Sequence, residues 1–183
     1  ERTLQSFAGD PTVSQKGWLS GNATVGNNAI VGENREATFY LTDPKTAQSA
    51  TLDFSFPLQL WPGAASPATF ADAATTNLFY WVNKAHDLHY ASGFDEQSGN
   101  YQQANFGLVG LGGDPMYAYS HFGIADVVPP DLNNAFYTTR SAQDGSQSMI
   151  AMFLASFSSQ VFTDGSLDAQ VIVHEYTHGV STR

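Results

Sequence analysis

The segment from Val171 to Gly179 constrains this chain more than any other, because it joins an apolar run to two histidines at helical spacing. The run Val-Ile-Val is followed by His174, Glu175 and, four residues after the first histidine, His178. Residues four apart lie on one face of a helix, so both imidazoles can reach one metal ion. The intervening glutamate can then take a proton from a water at the metal. The segment therefore predicts a central helix that carries two ligands and the general base of a zinc hydrolase.

The residues before the motif are typical of a helix start. Asp164, Gly165 and Ser166 favour a turn, and Asp168 places a carboxylate in the first helical turn, where the helix dipole favours it. An exposed helix with an incidental histidine pair is the competing interpretation. The apolar run argues against that interpretation, because polar groups beside a buried stripe are costly unless something binds them.

The motif supplies two of the three protein ligands that a catalytic zinc ion needs. One class of such enzymes adds a third histidine after a glycine, and Ser181 stands where that glycine would be. The other class takes a glutamate from a later helix, whereas this sequence ends at Arg183. We therefore expect a second chain or a further segment to supply the third ligand, and the chain to be one fragment of a larger enzyme.

Composition narrows the possible partners. The net charge of −10 and the pI near 4.6 argue against nucleic acid and against an anionic membrane surface. The absence of cysteine rules out a disulfide framework, and no apolar stretch approaches the length of a membrane span. With 183 residues, the chain is long enough for one domain with a hydrophobic core.

Periodicity and turn residues predict a mixed fold of the α+β class. Ser66 and Pro67 predict the start of a long helix, which continues to about Ala91 and ends at Gly93. Residues 1–35 are predicted to be irregular and to pack on the surface of the domain. Strands are predicted at 36–42, 50–56, 116–120, 133–139 and 148–155, and a turn is predicted at 129–131.

A second histidine pair, His86 and His89, flanks Asp87 on the long helix. The spacing is compatible with a second metal site. We favour the simpler interpretation, in which one histidine is hydrogen-bonded within the helix and the other is solvated, since histidines at this spacing are common without a third ligand.

Four stretches together resemble the fungalysin (M36-type) family of secreted zinc metalloendopeptidases and, more distantly, thermolysin-like enzymes. They are residues 77–87 (Asn-Leu-Phe-Tyr-Trp-Val-Asn with His-Asp), 90–107, 133–135 (Asn-Asn-Ala) and 164–179. The first seventy residues match only loosely. The order and spacing of the four stretches are more specific than the metal motif alone.

The resemblance implies a role for each residue of the motif. His174 and His178 would bind one catalytic zinc ion, and Glu175 would be the general base. Asn134, Ala135 and Phe136 would bind substrate, on an edge strand that pairs with an extended peptide. The third ligand would be a glutamate on a following helix. The histidine-aspartate pair on the long helix recurs in the family without binding zinc.

The resemblance also implies an architecture and a location. The whole chain would be the β-rich N-terminal lobe of a thermolysin-like catalytic domain plus the central zinc-motif helix, without the C-terminal lobe. Its parts would be an entry segment (1–65), the long helix (66–92), loops and strands with the substrate edge strand (93–163), and the motif helix (164–183). The family implies a secreted, extracellular hydrolase that acts on polypeptides, is made with a propeptide as a zymogen, and is active only with the C-terminal lobe.

Other functions and a second ion are left open by the residues. The chain could be a catalytically inactive peptide-binding or inhibitory lobe, or a metal-dependent hydrolase acting on something other than peptides. Calcium is a further candidate ion, because carboxylates on loops can bind it. The candidate carboxylates are Asp95, Glu96, Asp114, Asp126 and Asp131.

Overall fold

The computed structural model describes residues 3–59, 66–124, 132–158 and 161–183. Five strands form the main sheet: β1 (Ala29–Glu33), β2 (Lys45–Thr46), β3 (Met116–Ser120), β4 (Ala135–Thr139) and β5 (Ser148–Met152). Their order across the sheet is β2-β1-β3-β5-β4. The three inner strands run parallel, and each edge strand is antiparallel to its neighbour. The strand predicted to bind substrate is therefore an edge strand.

Two helices pack on one face of this sheet. Ser66 accepts a hydrogen bond from the Ala68 N–H, and a 3₁₀ turn (Pro67–Phe70) leads into α1 (Ala71–Ala91). Gly93, at φ +101°, follows the helix and donates its N–H to the Tyr90 carbonyl. The second helix, α2 (Ala169–Thr182), contains the motif and contacts both α1 and β4.

The alternation of side chains along the strands divides the core into two layers. The residues that face the helices include Val31, Ala118, Ile150 and Met152, and they meet Leu78, Phe79 and Val82 of α1 and Ile172 and Tyr176 of α2. The opposite face of the sheet carries Tyr119, Met149 and Ala151, which pack with Phe122 and Phe153. Both faces of the sheet are covered, which is why β5 is buried at every position.

Several predictions of the sequence are confirmed. The fold is α+β, and the long helix and the motif helix lie where the sequence predicts them. The strand predicted at 116–120 is β3, and the one predicted at 133–139 begins two residues later as β4. The single strand predicted at 148–155 breaks at Phe153 into β5 and β6 (Leu154–Ser158), and β6 forms a hairpin with β7 (Val161–Asp164).

The strands predicted at 36–42 and 50–56 are wrong, because neither segment has strand pairing. Ala37, Tyr40 and Leu52 have φ between +53° and +60°, a conformation that an extended strand cannot contain. Ala37, Tyr40 and Leu41 instead pack on the far face of the sheet. Their apolar spacing reflects this packing of an irregular segment.

The description of residues 1–35 as an irregular surface segment is also wrong in part. This region contains β1, which lies inside the sheet, and Trp18, which is buried in the main core. A short strand buried on both faces lacks the alternation that reveals half-buried strands.

The predicted turn at 129–131, together with the candidate ligands Asp126 and Asp131, lies outside the described residues. Among the residues that the structure describes, no helix is both long and apolar enough to span a membrane.

Candidate active site

The start of α2 is fixed by two aspartates. Asp168 is the N-cap, and its carboxylate accepts hydrogen bonds from the N–H groups of Gln170 and Val171. Asp164 caps the preceding 3₁₀ turn (Gly165–Leu167) through the Ser166 N–H. Its second oxygen lies 2.8 Å from the backbone nitrogen and 2.9 Å from the ring Nδ1 of His121. Caps of this kind satisfy backbone donors that the helix itself leaves unpaired.

His121 is buried, and its environment shifts its titration. Burial alone would lower the pKa of His121, but the hydrogen bond and negative charge of Asp164, assisted by the Pro67 carbonyl, raise it above its ordinary value. The residue also has φ +52°. The contact between His121 and Asp164 therefore connects the loop after β3 to the 3₁₀ turn that precedes the motif helix.

The two motif histidines converge on one point. Their Nε2 atoms are 3.0 Å apart, and their rings stand at 89° to each other on the exposed side of α2. Two nitrogens that each lie about 2.0–2.1 Å from a tetrahedral zinc ion are about 3.3 Å apart. The observed pair therefore fits two ligands of one zinc ion after only a small adjustment. In the described ranges, no group of three or more His, Cys, Asp or Glu side chains forms a complete metal site.

Glu175 lies beside a cleft of about 670 Å³. Its side chain is only 7% exposed, in contrast to the two exposed histidines. The cleft is bounded by α2 on one side and by the start of β4 on the other, with the β6–β7 hairpin closing a third side. Its lining includes Asn134, Ala135, Ala155, Thr163, Val171 and Glu175.

The beginning of β4 is held in place by backbone and amide contacts. Asn133, at φ +60°, accepts a hydrogen bond from the Ser156 N–H through its side chain. The Asn134 side chain accepts one from the Ala135 N–H, and its carbonyl accepts one from the Phe153 N–H. The outer side of β4 has no neighbouring strand within the described part of the chain. An extended peptide could therefore pair there.

The three predicted substrate residues differ in what they present to the cleft. Asn134 and Ala135 line it. The Phe136 side chain lies in the far-face cluster, where it stacks on Phe39 at 5.5 Å and contacts Phe122 and Phe153. A contact between Phe136 and a peptide in the cleft would therefore use its backbone.

The second histidine pair serves the packing of the chain. His86 is buried and lies 3.1 Å from Asp87. Asp87 accepts hydrogen bonds from the Asp10 N–H, the Ser14 hydroxyl and the Trp18 indole. Burial alone would raise the pKa of Asp87, but these donors and His86 lower it below its ordinary value. This supports the interpretation of His86 as a hydrogen-bonded helix residue.

His89 is half-buried and reaches the motif helix instead of solvent alone. Its ring stacks on Tyr176, with the ring centroids 5.7 Å apart, and its Nε2 lies 3.2 Å from the Thr177 hydroxyl. Both partners lie between the two motif histidines. Helical spacing along α1 does not reveal this contact, because it depends on how α1 and α2 cross.

Three of the predicted calcium candidates are already engaged by protein groups. Asp95 caps a 3₁₀ turn, Glu96 accepts the Tyr90 hydroxyl, and Asp114 pairs with Arg183. Burial raises the pKa of Asp114, and Arg183 opposes this shift. A calcium site remains a prediction.

The end of the motif helix is closely packed at Gly179 and at Arg183. Gly179 lies against Tyr101 and Tyr137, where an added Cβ would be 2.7 Å from the Tyr101 hydroxyl oxygen and 3.0 Å from Tyr137 Cε2. The buried ion pairs of Arg183 have no sequence signal, because their partners lie 39 and 69 residues away along the chain.

The chain is similar to extracellular metalloproteinases from fungi. It is 36% identical to extracellular metalloproteinase 1 of Phaeosphaeria nodorum, over 95% of this chain and 27% of the relative. It is 34% identical to the extracellular metalloproteinase mep of Aspergillus flavus, over 100% of this chain and 28% of the relative. A third relative, from Pyricularia oryzae, is 36% identical over 95% of this chain and 26% of its own length.

The chain spans about a quarter of the length of these curated relatives. The sequence profile described as fungalysin metallopeptidase (M36) matches residues 1–183. This match covers the buried core as well as the histidine pair, the capped helix α2 and the edge strand β4. The chain therefore belongs to the fungalysin (M36) family of metallopeptidases.

Proposed function

We propose that this chain is the part of a secreted zinc metalloendopeptidase that carries the general base and two of the three protein ligands of the zinc ion. His174 and His178 are the ligands, and Glu175 is the base. The observation that carries the proposal is the 3.0 Å approach of the two Nε2 atoms on the exposed side of α2. The buried Glu175 between them in the sequence lines a cleft that the start of the edge strand β4 also lines.

Each residue has one step in the reaction. A zinc ion bound here would lower the pKa of a water and polarise the scissile carbonyl. Glu175 accepts a proton from the attacking water and delivers it to the leaving amine. The free edge of β4 pairs with the substrate backbone, with Asn134 and Ala135 at the cleft, so the peptide lies extended and its carbonyl faces the histidine pair. Because this pairing uses backbone groups, it accepts many sequences.

The proposal includes parts outside this chain. A glutamate from a further segment or a second chain would complete the zinc site, within a C-terminal lobe that closes the other side of the cleft. Residues 1–183 would then form the N-terminal lobe with the motif helix, divided near residues 65, 92 and 163. The chain's coverage of about a quarter of its relatives supports this, and their names as extracellular proteins support secretion. A propeptide and a bound calcium ion belong to the same proposal.

Zinc content and one substitution test the assignment in the complete protein. We expect about one tightly held zinc ion per molecule and chelator-sensitive cleavage of casein. Glu175→Gln should keep the zinc and lower the turnover by at least about 10²–10⁴-fold, since general-base catalysis is typically worth that much. Glu36→Gln makes the same chemical change at an exposed position and should cleave casein as the wild type does.

The other outcomes separate the competing functions. A Glu175→Gln protein with near wild-type turnover would remove Glu175 from the mechanism. A wild-type protein that retains no zinc would support an inactive peptide-binding or inhibitory lobe. Tight zinc without cleavage of casein would support a hydrolase whose substrate is not a peptide.

A further inference from the structure

Arg183 places a charged side chain in the interior next to the end of the motif helix. The side chain is 2% exposed. Its Nη2 donates to Asp114 Oδ2 at 2.9 Å and to the Ser146 carbonyl at 2.7 Å, and its Nη1 lies 3.4 Å from Asp144 Oδ1. Its backbone N–H donates to the Gly179 carbonyl, one turn back along α2. A guanidinium with this many partners defines the position of the helix end in several directions.

The partners of Arg183 belong to the substrate side of the cleft. Asp144 and Ser146 lie in the loop 140–147, which joins β4 to β5. Asp114 lies two residues before β3, and it also accepts the Gly145 N–H of that same loop. One side chain therefore links the last turn of α2 to the hairpin that carries the free edge of β4.

A second connection between the same two elements runs through Tyr101. The Arg183 guanidinium lies 4.6 Å from the centre of the Tyr101 ring. The Tyr101 hydroxyl is 3.0 Å from the hydroxyl of Tyr137 in β4, and that hydroxyl is 3.1 Å from the Ser148 hydroxyl in β5. Tyr101 also packs edge-on against Tyr176 within the motif. The buried ring thus fills the space between α2 and β4, and Arg183 covers its face.

We infer that Arg183 is a positioning residue that sets the distance and angle between the metal-binding helix α2 and the substrate strand β4. This inference rests on the proposed peptidase function, because a peptide paired with β4 must present its carbonyl to the histidine pair on α2. A displacement of about 1 Å between such elements can cost about 100-fold in rate. Arg183 touches neither the metal ligands nor the peptide, so its effect is on geometry.

Substrate length separates this role from a purely structural one. A variant that only lowered the folded fraction would lose the same factor of kcat/KM on every substrate. Loss of alignment with β4 affects only substrates that pair with β4, because remote binding energy is what aligns the reacting bond. We therefore compare a long peptide that can pair along all five residues of β4 with a blocked dipeptide that reaches only the metal.

The expected result in the complete, zinc-loaded protein is a length-dependent loss. Arg183→Met should lower kcat/KM on the long peptide by about 10- to 100-fold and on the dipeptide by no more than about threefold. Arg183→Lys keeps a positive charge near Asp114 but lacks the planar guanidinium with its several N–H donors. It should therefore show most of the length-dependent loss that Arg183→Met shows. Arg35→Met is the matched control, since Arg35 also pairs with a buried carboxylate, Glu33 of β1, away from the cleft. Arg35→Met should change kcat/KM by the same small factor on both substrates.

Equal losses on both substrates for Arg183→Met, or full recovery by Arg183→Lys, would overturn the inference. A wild-type protein without chelator-sensitive cleavage would instead overturn the proposed function. In that case, amide hydrogen exchange still tests whether Arg183 couples α2 to β4, because it does not depend on activity. Arg183→Met should speed exchange in β4 and in the last turn of α2 while leaving β1 unchanged, and unaltered exchange in β4 would contradict the coupling.

Discussion

Gly179 of α2 has little room for a side chain. An alanine here would normally favour the helix by about 1 kcal/mol. Its Cβ would, however, lie 2.7 Å from the Tyr101 hydroxyl oxygen, and overpacking of a well-filled interior costs about 1–3 kcal/mol. The net of these two effects is a loss of up to about 2 kcal/mol in the free energy of unfolding for Gly179→Ala, measured by urea denaturation.

A double-mutant cycle with Tyr101→Phe identifies the cause of that loss. Removing the hydroxyl takes away the nearest atom but leaves Tyr101 Cε2 at 3.0 Å from the new Cβ. Gly179→Ala should therefore cost less in the Tyr101→Phe background than in the wild type. Equal costs in both backgrounds would show that the clash with this hydroxyl is not the reason.

For single residues, the sequence predicts the relative placement of the two motif histidines, and the structure has them on one face of α2. The spacing of His174 and His178 alone dictates that their rings share a helix face, and no tertiary contact is needed to know this. The placement of Asn134 at the cleft came from a family resemblance. Arg183 and Tyr101 were not foreseen, because their contacts join segments that are far apart in the sequence and share no periodic pattern.

Among the elements, α1 binds the N-terminal segment through several side chains, and one of them, the Asp87 carboxylate, accepts three hydrogen bonds from it. Asp87 accepts hydrogen bonds from Asp10, Ser14 and Trp18, and it is almost fully buried. In Asp87→Asn one oxygen becomes a donor facing other donors, and the charge that strengthens these bonds is lost. We expect a loss of about 3 kcal/mol in unfolding free energy.

Limited proteolysis gives the location of that effect. Cleavage in residues 3–18 should become faster in Asp87→Asn while α2 remains resistant. Asp72→Asn, at an exposed position of α1, is the control and should leave the cleavage pattern unchanged. Faster cleavage spread evenly over the chain would show that Asp87 stabilises the whole fold and not the segment.

Elements were predictable from the sequence only where the local pattern and the tertiary environment agree. Ser66, Pro67 and Gly93 mark the two ends of the segment formed by the 3₁₀ turn and α1, because capping chemistry is local. The segment 36–42 has a strand-like pattern, yet the positive φ of Ala37 and Tyr40 makes it an irregular cover for the sheet. Strand β1 was missed for the opposite reason, since it is covered on both faces and shows no alternation.

In the molecule as a whole, the two edges of the five-stranded sheet differ. The β4 edge, with α2 beside it, forms the cleft, whereas the opposite edge is the two-residue strand β2. A short edge strand offers little backbone for unwanted pairing. Within the five-stranded sheet, β4 is therefore the edge strand with the longer free side, and its first residue lines the cleft.

Two buried carboxylates with lowered pKa, Glu33 and Asp87, lie in the N-terminal half of the chain. Burial alone would raise the pKa of Glu33, but Lys45 and Arg35 lower it, and the donors around Asp87 do the same there. A carboxylate whose pKa is lower in the folded protein stabilises the fold above its unfolded pKa, and this contribution is lost as the pH falls through the folded value. Both contributions should therefore be present at neutral pH and disappear below about pH 4.

Acid should consequently loosen the chain from the side away from the cleft. On lowering the pH from 6 to 3, we expect amide exchange to rise first in residues 10–18, which contain the partners of Asp87, and in residues 33–45, which contain Glu33 and its partners. It should rise only later in β5 and α1. Exchange at each pH is corrected for the intrinsic rate of an unstructured peptide. The Asp87→Asn protein should already show fast exchange in residues 10–18 at pH 6 and a smaller further change on acidification. Simultaneous loss of protection in residues 10–18, in residues 33–45 and in β5 would contradict this order, because it would mean that the two carboxylates stabilise the molecule only as a single cooperative unit.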